Sequence, residues 1–592
     1  MQLRPFGIRG AMMFLGLAVS AGCSSTPQPN GEGGGGGGST DGGSGGQGPS
    51  LTSSCATALF VDAIAESAWV NLDVAPAEGT AGIRQALETA NAEHPSEPVR
   101  IRLAPGTYAD NLGGEIYAQH IQRTETTPLW IVATDPTPNA TTVGHGFNLV
   151  GISYVAIEGI TVGPAVVGAW NGSSHADPQP LYTQAGVHVA GAAIAGGTSA
   201  TLPNGQLDTS VYGRYEPSHH VIVRHMTIQN LFPTEDESGE KALSIDNDGM
   251  KFNQVENLWV IDNTVTQTSR HGIDNVGVHS AAFCGNVITR NGNGLGIEAK
   301  GGSYDVVFES NVFYRVRRVA LGGEATDATY YFSVDGAYDY EGRAIVARNN
   351  VIIDARESAL QFGGCAGCAA LDNTILFTPD YVPPLTESGD ANGGDGIRIT
   401  DSAVLSSDEG AGSDCVSWDE TAQDYVYTEV CWGVGSNAPA PVGRAMMSRD
   451  NRSINNAFVS MSGIWSNDFG STNPSPSTVP CPMVGYTAAP ELFAEANYNY
   501  WFNNGKPLPD CGPAPEGTSS LFPSTDAPQF TNLSVSDVEG LRVFGQAVAA
   551  GLVPAEASPL VGRGVANPPG SVPTDLAGAA RPSAWTIGAL EP

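Results

Sequence analysis

The chain has 592 residues, of which 15% are charged, and 61 acids against 27 bases leave a net charge of −34. A surface so short of Lys and Arg repels phosphate backbones, which argues against nucleic acid as a partner. It also disfavours acidic polysaccharides unless calcium or a local basic patch intervenes.

Arg4 and Arg9 precede an apolar stretch from Ala11 to Ala21, too short to span a bilayer but suited to the core of an export signal. The segment Ser20-Ala21-Gly22-Cys23 resembles the bacterial lipoprotein processing box, with Ser20 in place of the usual Leu. That resemblance implies a signal over residues 1–23 and lipidation at Cys23; the alternative is an ordinary secretory signal with an incidental cysteine. Ser24 suits outer-membrane sorting, so an exported, lipid-anchored protein at the outer membrane or cell surface is expected. Residues 24–53 are Ser, Thr and Pro followed by a Gly-dominated tract, a composition that buries no core and reads as a flexible tether.

Residues 54–592 read as one domain. GIRQALETAN, from Gly82 to Asn91, has helical periodicity and leads into the alternating strand and PGTY turn of VRIRLAPGTYADN, Val99 to Asn111. This predicts a cap feeding a first rung. Further rungs follow at YVAIEGITV (Tyr154 to Val162) and HVIVRHMTI (His220 to Ile228). Between Asp248 and Thr378 a strand, a turn, a second strand and an asparagine recur. The copies end at Asn263, Asn286, Asn311, Asn350 and Asn373, spaced by 23, 25, 39 and 23 residues. A strand-rich period in the low twenties is what one rung of a parallel β-solenoid requires. The stretches Gly163 to Tyr215 and Pro379 to Arg449 read as long loop insertions that wall a groove on one flank.

Eight cysteines remain beyond Cys23, an even number that favours disulfides in an exported chain. Cys415 to Cys431 and Cys481 to Cys511 are the local pairings expected. The CxxC at Cys365 and Cys368 has no second CxxC or nearby His, and reads as a structural bridge or buried thiols rather than a redox or metal motif.

The helical cap with PGTY, the Asn ladder and the ending TDLAGAARPSAWTIGALEP (Thr574 to Pro592) resemble the right-handed parallel β-helix superfamily, whose exported members include pectate lyases and the alginate lyase and chondroitinase B family. The resemblance runs from about Thr80 to the C-terminus. It implies an all-β, single-stranded right-handed parallel β-helix with an N-terminal helical cap and long loop insertions, and leaves activity to be argued from a site.

Strand alternation separates core from exterior. Met250 and Phe252 point in while Lys251 and Asn253 point out; Ile273 in, Asp274 out; Leu295, Ile297 and Ala299 in, Glu298 and Lys300 out. In the next rungs Val319 and Leu321 point in and Glu324 out, and Leu360 and Phe362 in and Gln361 out. With rungs about 4.8 Å apart, Lys251, Asp274, Glu298, Lys300 and Glu324 form one patch, flanked by Arg270, His271 and His279. Elimination of a uronate polymer needs a base beside the carboxylate and positive charge to stabilise what develops there. A lysine base must have its pKa depressed from about 10.4, to which Lys251 and the cluster Arg315, Arg317, Arg318 could contribute.

The segment GIEAKGGSYDVVFESNVF, Gly296 to Phe313, resembles the rung that carries the catalytic lysine in the alginate lyase and chondroitinase B family. That resemblance implies Lys300 as base and Glu298 as a calcium ligand. Lys251, Arg318 and His271 complete the candidate catalytic set; Asp274, Glu324 and Gln361 are the candidate substrate-binding residues, with Asp274 also a candidate calcium ligand. The chain departs from the family pattern at RVALGGEATD, where Gly322 and Gly323 hold the place of an outward arginine. Calcium is the cofactor expected, an acidic polysaccharide the partner, the membrane is met through the lipid anchor alone, and a monomer is expected. Against this stand three other readings: charges paired on a solvated face, a non-catalytic adhesin contacting sugars through Tyr330, Tyr331, Tyr338 and Tyr340, and a glycoside hydrolase using Asp246 with Asp248 or Asp274 with Glu298. Taken singly, His271 and His279 read as polar surface residues, and Asp246 and Asp248 as turn residues.

Overall fold

In the computed structural model, the residues described are 59–163 without 113, 185–193, 215–231 without 230, 248–323 without 269, 292 and 293, 340–379, 395–400, 416–419, 424–427, 448–462, 483–484, 493–505, 519–531 without 525, and 551–592. All belong to one compact unit, Pro49–Pro592. The readings placed on Cys23, the signal, the tether, Glu324, Asp246, Tyr330, Tyr331, Tyr338, Cys415, Cys431, Cys481 and Cys511 lie outside these residues.

The chain is a right-handed parallel β-helix. Three long sheets run along it, and the chain visits them in turn, as in Val255–Ile261 on the first, Thr264–Thr266 on the second, Ile273–Val276 on the third and His279–Cys284 on the first again. Every ladder within the three sheets is parallel, the first beginning with Val70–Val74 paired to Val99–Leu103. Right-handed crossovers are the rule for such connections, because a right-twisted strand packs back on its sheet that way.

The helix α1, Gly79–Glu93, buries Ile83, Ala86, Leu87 and Ala90, the 3.6-residue spacing read from the sequence, and packs on the first strands as a cap. Inside the coil, side chains stack in register. Met250, Ile273, Ile297, Val319, Leu360 and Ile397 form one fully buried column on the third sheet. Phe252, Phe283 and Phe308 stack edge-on with centroids 6.2 and 5.6 Å apart.

The asparagine ladder sits at the corner between the first and second sheets. Asn311 Oδ1 accepts from both the backbone N–H and the Nδ2 of Asn286, at 2.9 Å each, while Asn311 Nδ2 donates to Phe283 O and to Asn350 Oδ1. The pattern continues past Asn373 to Asn456 and Asn499, two rungs that the sequence period does not reveal. The CxxC forms a disulfide, Cys365–Cys368, and Cys284 is also disulfide-bonded.

The two stretches expected as loops need correction. Ala185–Ala190 pairs in parallel with Phe147–Val150 and Asp248–Asn253, and Asp395–Thr400 pairs with Ser358–Gly363 and Met483–Val484. Each supposed insertion therefore contains a strand of the third sheet. Both carry the same local signature as their neighbours: AGVHVA, DGMKFN, HGIDNV and DGIRIT share a glycine before an apolar residue. The glycine is a packing requirement, since a Cβ on Gly186, Gly249, Gly272 or Gly396 would lie 2.3–2.7 Å from the interior side chains Ile228, Val265, Ile288 and Trp501.

Two segments pack on the outside. Leu59, Phe60 and Val61 lie over Ala156 and Ile222 of the first sheet, with Asp62 held by Arg224 at 2.8 Å. Residues 551–592 cover Val351, Ile353 and Leu376 of the second sheet with Leu552, Leu560 and Ile587, locked by Arg581 to Glu591 at 2.7 Å and to Asn349 at 2.9 Å.

Candidate functional site on the third sheet

On the outer side of the third sheet, Asn148, His188, Lys251, Asp274, Glu298, Ala320, Gln361 and Arg398 stand in register on consecutive rungs. Lys300 lies two residues beyond Glu298 on the same side, and Asp248 and His271 approach from the residues that open their rungs. Alternation thus placed Lys251, Asp274, Glu298, Lys300 and Gln361 correctly. His188 and Arg398 join them from the two stretches mistaken for loops.

This face is not a solvated one. Asp248 is fully buried, Asp274 and Glu298 are 1% exposed, and the side chains of Lys251 and Lys300 are each 13% exposed. Withdrawing charges from water costs several kcal/mol per ion unless partners compensate, so the pairing here is tight. Lys251 Nζ donates to Asp274 Oδ2 at 2.8 Å and to Asp248 Oδ2 at 3.4 Å. Lys300 Nζ donates to Glu298 Oε1 at 2.7 Å and lies 3.4 Å from Asp274 Oδ1. Asp248 Oδ1 accepts the His271 backbone N–H at 3.0 Å, so Asp248 is a buried member of the cluster and not a turn residue. His271 Nδ1 accepts the Leu295 N–H at 2.9 Å and lies 3.3 Å from Glu298 Oε1.

These contacts fix the protonation pattern. Burial opposes the charge on Lys300, but Asp274 and Glu298 outweigh it and lift its pKa above the ordinary lysine value; Asp274 and Asp248 do the same for Lys251. A lysine base needs the opposite shift, so the surroundings of Lys251 and Lys300 favour their protonated forms. Burial raises the Glu298 carboxyl, with Asp274 adding to it, and raises Asp248 likewise, while Lys300 heads the groups that overcome burial and hold Asp274 well below its usual range. His271 is driven down by burial and stays neutral. Its Nδ1 lone pair is taken up by the Leu295 N–H, which places the proton of the neutral ring on Nε2.

His279 belongs to the first sheet, is 3% exposed, and places Nε2 3.1 Å from Gly302 O; it is a buried structural histidine and not a surface one. Tyr340 is likewise buried. Arg318 is also buried, with Nε 2.6 Å from Glu357 Oε2 and Nη1 donating to Gln361 Oε1. Arg317 Nε donates to Glu357 Oε1 at 2.5 Å, and Arg398 Nη1 lies 3.8 Å from the same carboxylate. Burial works against the Glu357 charge, yet Arg318, Arg317 and Arg398 hold its pKa down at about 2. One carboxylate thus meets three guanidinium groups at this end of the column.

The departure at Gly322 and Gly323 has a steric cause. A Cβ on Gly323 would lie 2.5 Å from Lys300 Cβ and 3.2 Å from Glu298 Oε2, and one on Gly322, at φ +82°, would lie 2.1 Å from Gly363 O. The room an arginine would need is taken by the lysine and its carboxylate partner.

His271, Asp274 and Glu298 are the group among the described residues whose ligand atoms converge within 4.8 Å. They do not fit calcium. That ion asks for six to eight oxygens, whereas here both carboxylates are held by ammonium groups and the imidazole nitrogen facing them accepts a backbone N–H.

No family model and no curated protein matches the chain. Among solved structures it is similar to the mannuronan C-5 epimerase AlgE6 A-module of Azotobacter vinelandii, at 12% identity and TM-score 0.36 over 71% of this chain and 89% of that one. Pectate lyase Pel9A is similar at 10% identity and TM-score 0.36, over 88% and 96% of the two chains. A mannuronic acid specific polysaccharide family 6 lyase from human gut microbiota is similar at 13% identity and TM-score 0.24, over 56% and 78%.

Proposed function

We propose that the chain binds an acidic, uronate-containing polysaccharide along the outer side of the third sheet and cleaves it by β-elimination. The observation that carries this is the cluster of Asp248, Lys251, His271, Asp274, Glu298 and Lys300, drawn from three successive rungs and held out of water on the exterior of the coil. Ionisable groups perturbed by burial and by specific charge partners are a physical ground for a functional site. Lys251 and Lys300, kept protonated, meet the uronate carboxylate and stabilise the charge that builds on it when the neighbouring proton leaves. Glu298 is the group suited to take that proton, because its raised pKa brings acid and base forms together near neutral pH; the C–H electrons become the new double bond, the glycosidic C–O bond breaks, and the leaving oxygen takes a proton from water. Arg317 and Arg398, with side chains 27% and 33% exposed, offer further cations to the polymer.

The protein acts at the cell surface as a monomer, exported and anchored through lipid on Cys23. Incubation with alginate, pectate and chondroitin, read as ultraviolet absorbance of unsaturated chain ends, tests the reaction. Absorbance on none of the three would remove the lyase reading; retained binding would then leave the non-catalytic carbohydrate-binding solenoid, and new reducing ends without absorbance would indicate a hydrolase.

A further inference from the structure

We infer that Lys251 and Lys300 stand in for a divalent cation in this site, so that it handles an acidic polymer with built-in positive charge and without calcium. The inference rests on the third-sheet column being the polymer site proposed above. Each carboxyl of the cluster faces an ammonium group: Asp248 at 3.4 Å, Asp274 through one oxygen at 2.8 Å and the other at 3.4 Å, and Glu298 at 2.7 Å. Asp274 is thus bracketed by two lysines from the rungs on either side of it, the position a bridging ion would take between neighbouring carboxylates.

Among the described residues, the acids at this point are Asp248, Asp274 and Glu298, and each already faces a lysine. In the column itself the acidic run is two residues long, Asp274 and Glu298, ending at Lys251 on one side and Ala320 on the other. A calcium ion entering here would have to expel an ammonium group whose side chain is 13% exposed, and would then sit against that same charge. The chain as a whole carries a charge of −34, so a polyanion approaches only where positive charge is concentrated. Lys251 and Lys300 stand on the third sheet, with Arg398 further along it.

The full chain is melted in EDTA and in millimolar calcium chloride. The native protein is expected to melt within about 1 °C in the two solutions. Lys251→Met or Lys300→Met leaves a carboxylate without its counter-charge, and each variant is expected to melt lower in EDTA and to recover by about 2 °C or more in calcium. Adding Asp274→Asn to Lys300→Met should abolish that recovery. A calcium shift of that size in the native protein that Asp274→Asn removes would overturn the inference, as would lysine variants that melt alike in both solutions. Should neither lysine variant fold, calcium titration of the native chain by calorimetry decides: binding heat that Asp274→Asn abolishes overturns it, and no such heat supports it. None of these readouts depends on turnover, so a failed lyase assay and a failed cation test are separate outcomes.

Discussion

Lys300 Nζ lies 2.7 Å from Glu298 Oε1, its neighbour two residues back on the same strand. Strand alternation puts both side chains outside the coil, and the intervening Ala299 fills the interior at zero exposure. The pair favours the protonated form of Lys300, while burial raises the Glu298 carboxyl.

Glu298→Gln tests the carboxyl as the proton acceptor. The amide keeps the shape and still accepts from Lys300, and Lys300 keeps Asp274 within 3.4 Å, so the fold should survive. Turnover on a uronate polymer is expected to fall by about 10²- to 10⁴-fold, the usual contribution of a positioned proton acceptor. Unsaturated-end absorbance gives the rate and circular dichroism checks the fold. A loss smaller than about tenfold would take Glu298 out of proton transfer.

The same carboxyl makes stability depend on pH with a definite sign. Its pKa rises from 4.5 to about 8 on folding, so the folded chain binds a proton more readily than the unfolded one. The resulting stabilisation is complete below the unfolded value and is lost as pH climbs through the folded one. Asp248, raised from 3.8 to about 7, adds in the same direction. The native melting temperature should therefore decline across that interval, and decline less in Glu298→Gln. Because the net charge of −34 also grows less favourable with pH, the quantity to read is the difference between the two proteins. Parallel curves would remove Glu298 as a source of the decline.

How far the sequence reads is clear from particular residues. The stacking of Met250, Ile273, Ile297 and Leu360 was legible because alternation and a period near 23 residues act together. His188 and Arg398 were not, because the spacing breaks around AGVHVA and DGIRIT; the glycine before their first apolar residue was the available signal. Alternation says which side of a strand a residue takes, and nothing of what lies over it. The burial of Asp274 and Glu298, and with it the direction of every pKa in the cluster, needed three dimensions.

The ladder offers a test of the scaffold alone. Asn311→Ala strips the acceptor from the backbone N–H and the Nδ2 of Asn286, and the donor from Phe283 O and Asn350 Oδ1, all inside the coil. Buried polar groups left without partners cost about 1–3 kcal/mol each before water or rearrangement relieves them. A loss of about 3 kcal/mol in urea unfolding is expected, with little direct effect on the third-sheet cluster. A loss under about 0.5 kcal/mol would show that the stack is not a stabilising element.

Gly323 gives the sharpest steric test. A methyl group there would stand 2.5 Å from Lys300 Cβ and 3.0 Å from its Cδ, and because the backbone fixes a Cβ, the strand must shift. Overpacking of this kind costs about 1–3 kcal/mol, and Gly323→Ala is expected to lose that stability together with most turnover. Lys300→Gly removes both the Cβ and the Cδ that the methyl group meets. The double variant should then be less destabilised than the sum of the singles, with a coupling of at least about 0.5 kcal/mol in denaturant unfolding. Additive losses would mean that Gly323 is small for some reason other than Lys300, and the account of why glycine replaces the expected arginine would fall with it.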